Sequence, residues 1–319
     1  MSSPWVQSGE CTVSVSAPAG VVYGLLADAV HWPVFVPGQV HVERVDFDGV
    51  EERLLLWEAV SGRVRSCHVR RLLRPYSRSV VFEQHDIAYP DAVVSGVWAV
   101  RAVGEERCLL TLRHDERSPA GPRTPPSAAE SDPVGVREQV ARVREMAERW
   151  AELDELLLSF EDSVRVQGPA ELVHDFLYDI GGWAGRVPHV ERARVTEDVP
   201  GVQLAVVDSC AAPGGQTVTT ETVRLCFPHA GRIVFKETVT PALIAAHSGE
   251  WSLVPDASGV RVVCTRRVML RQEAVRPVLG EGTSLPEARR YVREWLGRAG
   301  TEVLGLAKWH AESAVRRLR

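Results

Sequence analysis

The chain has 319 residues, of which 45% are hydrophobic and 25% charged, and carries a net charge of −5. That length suits two domains of about 150 residues better than one. The slight acidity gives no concentrated basic face for nucleic acid, and the apolar runs fall short of the ~20 residues of a membrane span.

The N-terminal stretch MSSPWVQSGE has neither the basic nor the apolar region of an export leader. Six cysteines (Cys11, Cys67, Cys108, Cys210, Cys226 and Cys264) show no CxxC pair and no zinc spacing. These features predict a cytoplasmic protein with reduced thiols and no metal. TVSVSAP, 12–18, alternates and is β-branched, which predicts a strand. Pro18 then opens a helix with an apolar stripe at Val22, Leu25 and Leu26. Trp32-Pro33 and Pro37 are expected to end it, because the residue before a proline is pushed out of the α region.

Six strand-like runs follow: VHVERV, RLLLWEAV, VRSCHVRRLL, SVVFEQHDI, AVVSGVWAV and CLLTLRH. Asp48-Gly49 and Ser61-Gly62 mark turns between them. SPAGPRTPPSAAESDP, 118–133, has the composition of a linker. The next segment puts Val136, Val140, Val143, Trp150, Leu153 and Leu157 three or four apart over several turns, predicting one long amphipathic helix.

A repeat organises the whole. HWPVFVPG at 31–38 returns as GWAGRVPH at 182–189, which pairs Trp32 with Trp183, Val36 with Val187 and Pro37 with Pro188. At this shift of 151, ten of the 25 positions from 13 to 37 are identical. Farther on the shift becomes 153. It then pairs Arg71 with Arg224, Phe82 with Phe235, Gly96 with Gly249 and Trp98 with Trp251. So long a period is a duplicated domain, not a solenoid unit. The second copy begins near Ser159 and ends in a helix carrying Tyr291, Trp295, Ala299, Val303 and Leu306. Residues 1–158 and 159–319 are therefore the expected domains, and 118–133 is a loop inside the first. Each copy reads as an α+β unit whose antiparallel sheet is covered by its terminal helix. A sheet curled around a helix without closing on it leaves a cavity.

These residues resemble a known family. The stretch APAGVVYGLLADAVHWPVFVP at 17–37, the GRVRSCHVRR and SRSVVF segments within 62–82, and SGVWAVRAV at 95–103 resemble the helix-grip domains of the START/Bet v 1 superfamily. More narrowly, they are similar to aromatase/cyclases of bacterial type II polyketide synthases. The tandem copy resembles the di-domain subgroup. The resemblance implies an enzyme that cyclises, dehydrates and aromatises the first ring of a ketoreduced poly-β-ketone held on an acyl carrier protein. The minimal synthase and a ketoreductase would be its partners, with no metal or organic cofactor. A monomer with an internal pseudo-dimer is expected.

The resemblance also places a functional arginine at Arg71, which the repeat carries to Arg224. Two further family positions differ: a tyrosine is replaced by Gln39 and Val190, and an asparagine of the long helix by Arg149 and the Ala299–Thr301 stretch.

Alternation on the strands gives the neighbours. Arg71 shares its face with Val69, Cys67 and Arg65. Arg224 shares its face with Thr222 and Thr220, while the apolar Val223 and Leu225 lie opposite. For Arg224 the alternation points outward and the resemblance inward, and both stay open here. Gln84 and Glu237 occupy equivalent positions, and Glu237 is either a base or a partner of Arg224. Trp32, Trp183, Trp98 and Trp251 either fill core or line a slot for a flat ring. His31, His41, His68, His85, His114, His189 and His247 are scattered and read as surface or core residues, with a proton-shuttling role open for His68 and His85 on the expected cavity strands. Arg63, Arg65, Arg74 and Arg78 make a basic region to which an acidic carrier protein can dock. Two other functions remain open at this point: a non-catalytic carrier of a hydrophobic ligand, and one catalytic domain beside a scaffold.

Overall fold

A computed structural model describes residues 5–60, 62–89, 91–118, 133–211, 216–257 and 259–317. The chain divides into two compact units, Met1–Asp154 and Glu155–Arg319. Residues 119–132 of the linker-like loop, and Ser61 of the expected Ser61-Gly62 turn, lie outside the described residues.

In the first unit β1 (Trp5–Val15) precedes α1 (Ala19–Ala27), a 3-10 turn and the single-turn helix α2 (Trp32–Phe35). Strands β2 (Gln39–Phe47), β3 (Glu51–Val60), β4 (Arg63–Arg74), β5 (Ser79–Asp86), β6 (Val93–Ala102) and β7 (Cys108–Ser118) follow. Then come α3 (Pro133–Glu148) and the short α4 (Trp150–Leu156). The second unit repeats the plan with β8 (Leu157–Val166), α5 (Ala170–Tyr178) and a 3-10 turn over Ile180–Gly185. Its sheet continues through β9 (Val190–Val199), β10 (Val202–Ser209), β11 (Val218–Phe227), β12 (Arg232–Val239), β13 (Ile244–Asp256) and β14 (Gly259–Leu270). The short α6 (Val275–Leu279) and the 33-residue α7 (Leu285–Arg317) complete it.

Both sheets are seven-stranded and antiparallel throughout, in the orders β1-β7-β6-β5-β4-β3-β2 and β8-β14-β13-β12-β11-β10-β9. Each first strand therefore closes onto the last one, and the remaining strands form a meander. A mid-strand glycine sits at the same place in each sheet. A Cβ at Gly96 would lie 2.7 Å from the Phe82 ring, and one at Gly249 would lie 2.5 Å from the Phe235 ring. Glycine leaves room for the ring to approach the neighbouring strand's backbone.

The terminal helix grips the concave face. Val136, Val140 and Ala147 of α3 are buried with Val15, Val22, Leu26, Leu110 and Leu112. In the second unit Val303, Leu304, Ala307 and Ala311 of α7 pack with Val173, Leu177, Val260 and Val262. This is the α+β helix-grip fold expected for each copy. No helix among the described residues is long and apolar enough to cross a membrane.

Two local expectations are corrected. Trp32-Pro33 starts a helical turn instead of ending one, since proline fits the first turn of a helix; α1 has already stopped at Asp28, which leaves the helical region (φ −88°, ψ 67°). The long helix of the first copy is interrupted at Arg149, and Trp150 is exposed. Leu157 is not helical either. It begins β8, whose alternating LLSFEDSVRV pairs along β14, with Leu157 opposite Met269.

Candidate active site

Each unit encloses a cavity between its sheet and its terminal helix, which the first helix also lines in the first unit and the 3-10 turn over Ile180–Gly185 in the second. The cavity is about 190 Å³ in the first unit and about 180 Å³ in the second. One arginine on the fourth sheet strand of each unit stands at the wall, and each is only 2% exposed.

Arg71 of β4 donates from Nη2 to the main-chain oxygen of Leu26, at the last turn of α1. Its Nη1 lies 3.1 Å from Oε1 of Glu52, which faces it across the strand pair. Glu52 Oε2 in turn accepts from Arg44 Nε at 2.9 Å. The Trp32 ring lies 4.9 Å from the Arg71 guanidinium carbon, near enough for a cation–π contact. Burial pulls the Arg71 pKa down to about 10 against the opposing pull of Glu52, so the side chain stays charged at neutral pH.

Arg224 of β11 repeats this geometry with a different partner. Its Nη2 donates to the oxygen of Leu177, the counterpart of Leu26. Its Nη1 donates to Tyr178 O at 3.2 Å and to Oε1 of Gln203 at 2.5 Å. Gln203 faces Arg224 across the strands, as Glu52 faces Arg71. The amide of Gln203 passes on to Glu197, at 2.9 Å from Nε2 to Oε2. Burial lowers the Arg224 pKa, while Cys226, Tyr178 and Glu197 oppose the fall.

The inward reading of Arg224 therefore holds, against the outward one from alternation. Polarity alternation misleads here because Val223, Arg224, Leu225 and Cys226 are all buried, so both faces of this strand are shielded from water.

The other expected residues divide as follows. Trp32, Val69, Gln84 and Trp98 line the first cavity. Thr220, Thr222, Glu237, Trp251 and Trp183 line the second. Cys67 is packed with Ala29, Val42, Leu54 and Leu56 and is not among the lining residues. Arg65 is paired with Glu58 at 2.8 Å; Glu58, not Arg65, reaches the wall. The repeated tryptophans both line and brace. Trp32 Nε1 donates to Leu25 O and Trp183 Nε1 to Phe176 O, each at 3.0 Å, which ties the turn to the end of the preceding helix. Of the positions that depart from the family pattern, Gln39, Val190 and Ala299 line cavities, whereas Arg149 is not a lining residue and sits 3.6 Å from Glu152.

Four residues of the candidate sites escaped the sequence reading. Glu52 and Gln203 are the partners of the two arginines. Each interrupts an apolar alternation: Glu52 with Leu54 and Leu56, Gln203 with Ala205 and Val207. Arg266 likewise sits on the buried face of Val262, Cys264 and Val268. It donates to Asp162 at 3.0 Å and lies 5.7 Å from the Trp251 ring. His247 was grouped with the scattered histidines, yet it lines the second cavity beside Glu237.

A curved antiparallel sheet closed by its terminal helix over a hollow, with a buried arginine of the fourth strand at the wall, defines the helix-grip class. The comparisons narrow this class. The sequence family described as polyketide cyclase/dehydrase and lipid transport matches residues 158–310. The granaticin polyketide synthase bifunctional cyclase/dehydratase of Streptomyces violaceoruber is 30% identical over 99% of this chain and 96% of its own. The actinorhodin polyketide synthase bifunctional cyclase/dehydratase of Streptomyces coelicolor is 31% identical over 93% of this chain and 94% of its own. Among solved structures, the di-domain ARO/CYC StfQ from the steffimycin biosynthetic pathway is 29% identical with a TM-score of 0.85. The di-domain ARO/CYC BexL from the BE-7585A biosynthetic pathway is 33% identical, also at 0.85. Each covers 96% of this chain and 99% of its own. The chain belongs to the family of bifunctional polyketide cyclases/dehydratases. It is thus an enzyme of polyketide biosynthesis, as the resemblance implied.

Proposed function

We propose that this enzyme receives a ketoreduced poly-β-ketone on an acyl carrier protein and promotes first-ring aldol closure, dehydration and aromatisation. The minimal synthase and a ketoreductase would supply that substrate, in the cytoplasm. A carbon between two carbonyls loses a proton readily, and the enolate attacks a second carbonyl of the same chain. The new hydroxyl then leaves as water. Negative charge gathers on oxygen in the enolate and again in the aldol alkoxide. A guanidinium is permanently charged and forked, so it answers both.

The observation that carries this reading is the pair of charged arginines, each nearly fully buried at a cavity wall and held by a main-chain oxygen of the first helix. Such fixed donors stabilise an oxyanion without reorganising. Arg71→Gln and Arg224→Gln in the full-length chain, assayed with a reconstituted synthase, test it. Loss of a preorganised donor is expected to cost roughly 10²–10³ in rate. A loss in only one variant assigns the chemistry to that unit. An unchanged product spectrum in both overturns the catalytic role of the arginines.

A further inference from the structure

The two cavities differ in proton chemistry. In the second, Nδ1 of His247 on β13 lies 2.8 Å from Oε1 of Glu237 on β12. The His247 side chain is only 5% exposed. The Phe235 ring stands edge-on to the imidazole at 5.3 Å and fixes its plane. The second ring nitrogen, Nε2, is buried and has no hydrogen-bond partner among the described residues, and the same is true of Glu237 Oε2. A buried polar atom left unpaired is costly and rare, so it asks for an explanation. Both residues line the cavity that also holds Arg224. Strand register sets Glu237 opposite Thr222, two residues from Arg224 along the same face. At the 153 shift the first unit has Gln84 and Val94 in these places, and neither can carry a proton at neutral pH.

We infer that Glu237 and His247 form the proton-transfer pair that dehydrates the ring in the second cavity, with His247 Nε2 as the group that touches substrate and Glu237 as its positioning residue. This rests on the function proposed above. A carboxylate on Nδ1 fixes the tautomer that leaves Nε2 free to accept, and stabilises the imidazolium formed. In the step itself the α C–H bond of a β-hydroxyketone breaks and its proton goes to Nε2. The electron pair forms the C=C bond, and the C–O bond breaks. The departing hydroxyl takes the proton back from Nε2 and leaves as water. Arg224 meets the enolate oxygen between the two events. No external oxidant or co-reactant is needed. The first cavity lacks this pair: Gln84 stands where Glu237 does, and the carboxylate at its wall, Glu58, is held by Arg65, so water loss is placed in the second unit.

The test uses the full-length chain and a synthetic β-hydroxyketide thioester. It follows conjugated-enone formation and exchange of the α-proton with deuterated solvent. His247→Gln is expected to lower both by about 10²-fold or more, the usual share of general acid–base catalysis. Glu237→Gln is expected to lower them less and to move the acid limb of the pH–rate profile to lower pH, because the imidazolium loses its carboxylate. Arg224, Arg266 with Asp162, and His189 with Glu302 are the other charged or titratable groups around this cavity, and they are unchanged in both variants. Wild-type water loss and exchange in His247→Gln would overturn the inference. If that variant does not fold, an unmoved pH profile in Glu237→Gln overturns it instead. The arginine variants separate the two levels. Loss of cyclisation in them with undisturbed dehydration in His247→Gln rejects this pair and spares the proposed function. A wild-type enzyme that turns over no ketide rejects the function itself.

Discussion

Glu52 stands across the strand pair from Arg71, 3.1 Å from carboxylate to guanidinium, while Gln203 takes the same place opposite Arg224. The duplicated sites thus share an arginine and a helix-end carbonyl but differ in charge. The first guanidinium is compensated at contact. The second meets a neutral amide, and the carboxylate of Glu197 is one hydrogen bond farther on.

Removing Glu52 leaves two arginines, Arg71 and Arg44, facing each other without their shared acceptor. Glu52→Ala is expected to cost about 3–5 kcal/mol, the usual penalty for breaking a buried pair from one side. Glu52→Gln keeps an acceptor, as Gln203 does for Arg224, and should cost less. Urea denaturation of the two variants measures the difference. Equal losses would mean that charge, not the acceptor, holds Arg71.

Glu197 is set by its donors. Burial pushes its pKa up, but the Tyr178 hydroxyl, the Gly201 N–H and the Gln203 amide outweigh burial and hold the carboxyl below the ordinary range. The same hydrogen bond drives the Tyr178 pKa up to about 12. A carboxyl with a depressed folded pKa contributes stability that is complete above its unfolded pKa and is lost as pH falls through the folded one. Tyr178→Phe should therefore cost about 1 kcal/mol at neutral pH. That cost should shrink in acid, where the wild type loses the same contribution. Unfolding free energies at pH 7 and at acid pH check this, and a pH-independent difference would exclude it.

Glycines on the sheet and on the helix should respond differently to alanine. At Gly249 the new Cβ would collide with the Phe235 ring and with the main-chain oxygen of Thr265, which belongs to the neighbouring strand. At Gly300 of α7 it would meet the Arg266 guanidinium, the far end of a long side chain held by Asp162. Gly249→Ala is expected to cost about 1–3 kcal/mol, as overpacked sites do. Gly300→Ala should instead displace Arg266 from Trp251 and Asp162, opening a buried ion pair. Paired melting curves and the binding of a flat aromatic probe distinguish the two effects.

Much of this was legible in the residues. The shift of 151, then 153, located the duplication, and the alternating runs located the strands, because a strand with one buried face must alternate. The tryptophan–proline turn was legible as a repeated unit, and its role follows from the indole bonds to Leu25 and Phe176. The end of the first copy's helix is not legible in the sequence, since Leu157 fits a helical stripe and a strand alternation equally well and begins β8 in the structure.

By itself the sequence determined the fold class, the doubling and the arginine at the centre of each half. These depend on local periodicity and on a motif, which one chain contains in full. Only the tertiary structure decided which way Arg224 points, that Glu52 and Gln203 are the arginine partners, and that Glu237 and His247 meet. Their physical reason is shared: each depends on register between neighbouring strands and on water being excluded from both faces of the sheet. Neither can be read along a single strand.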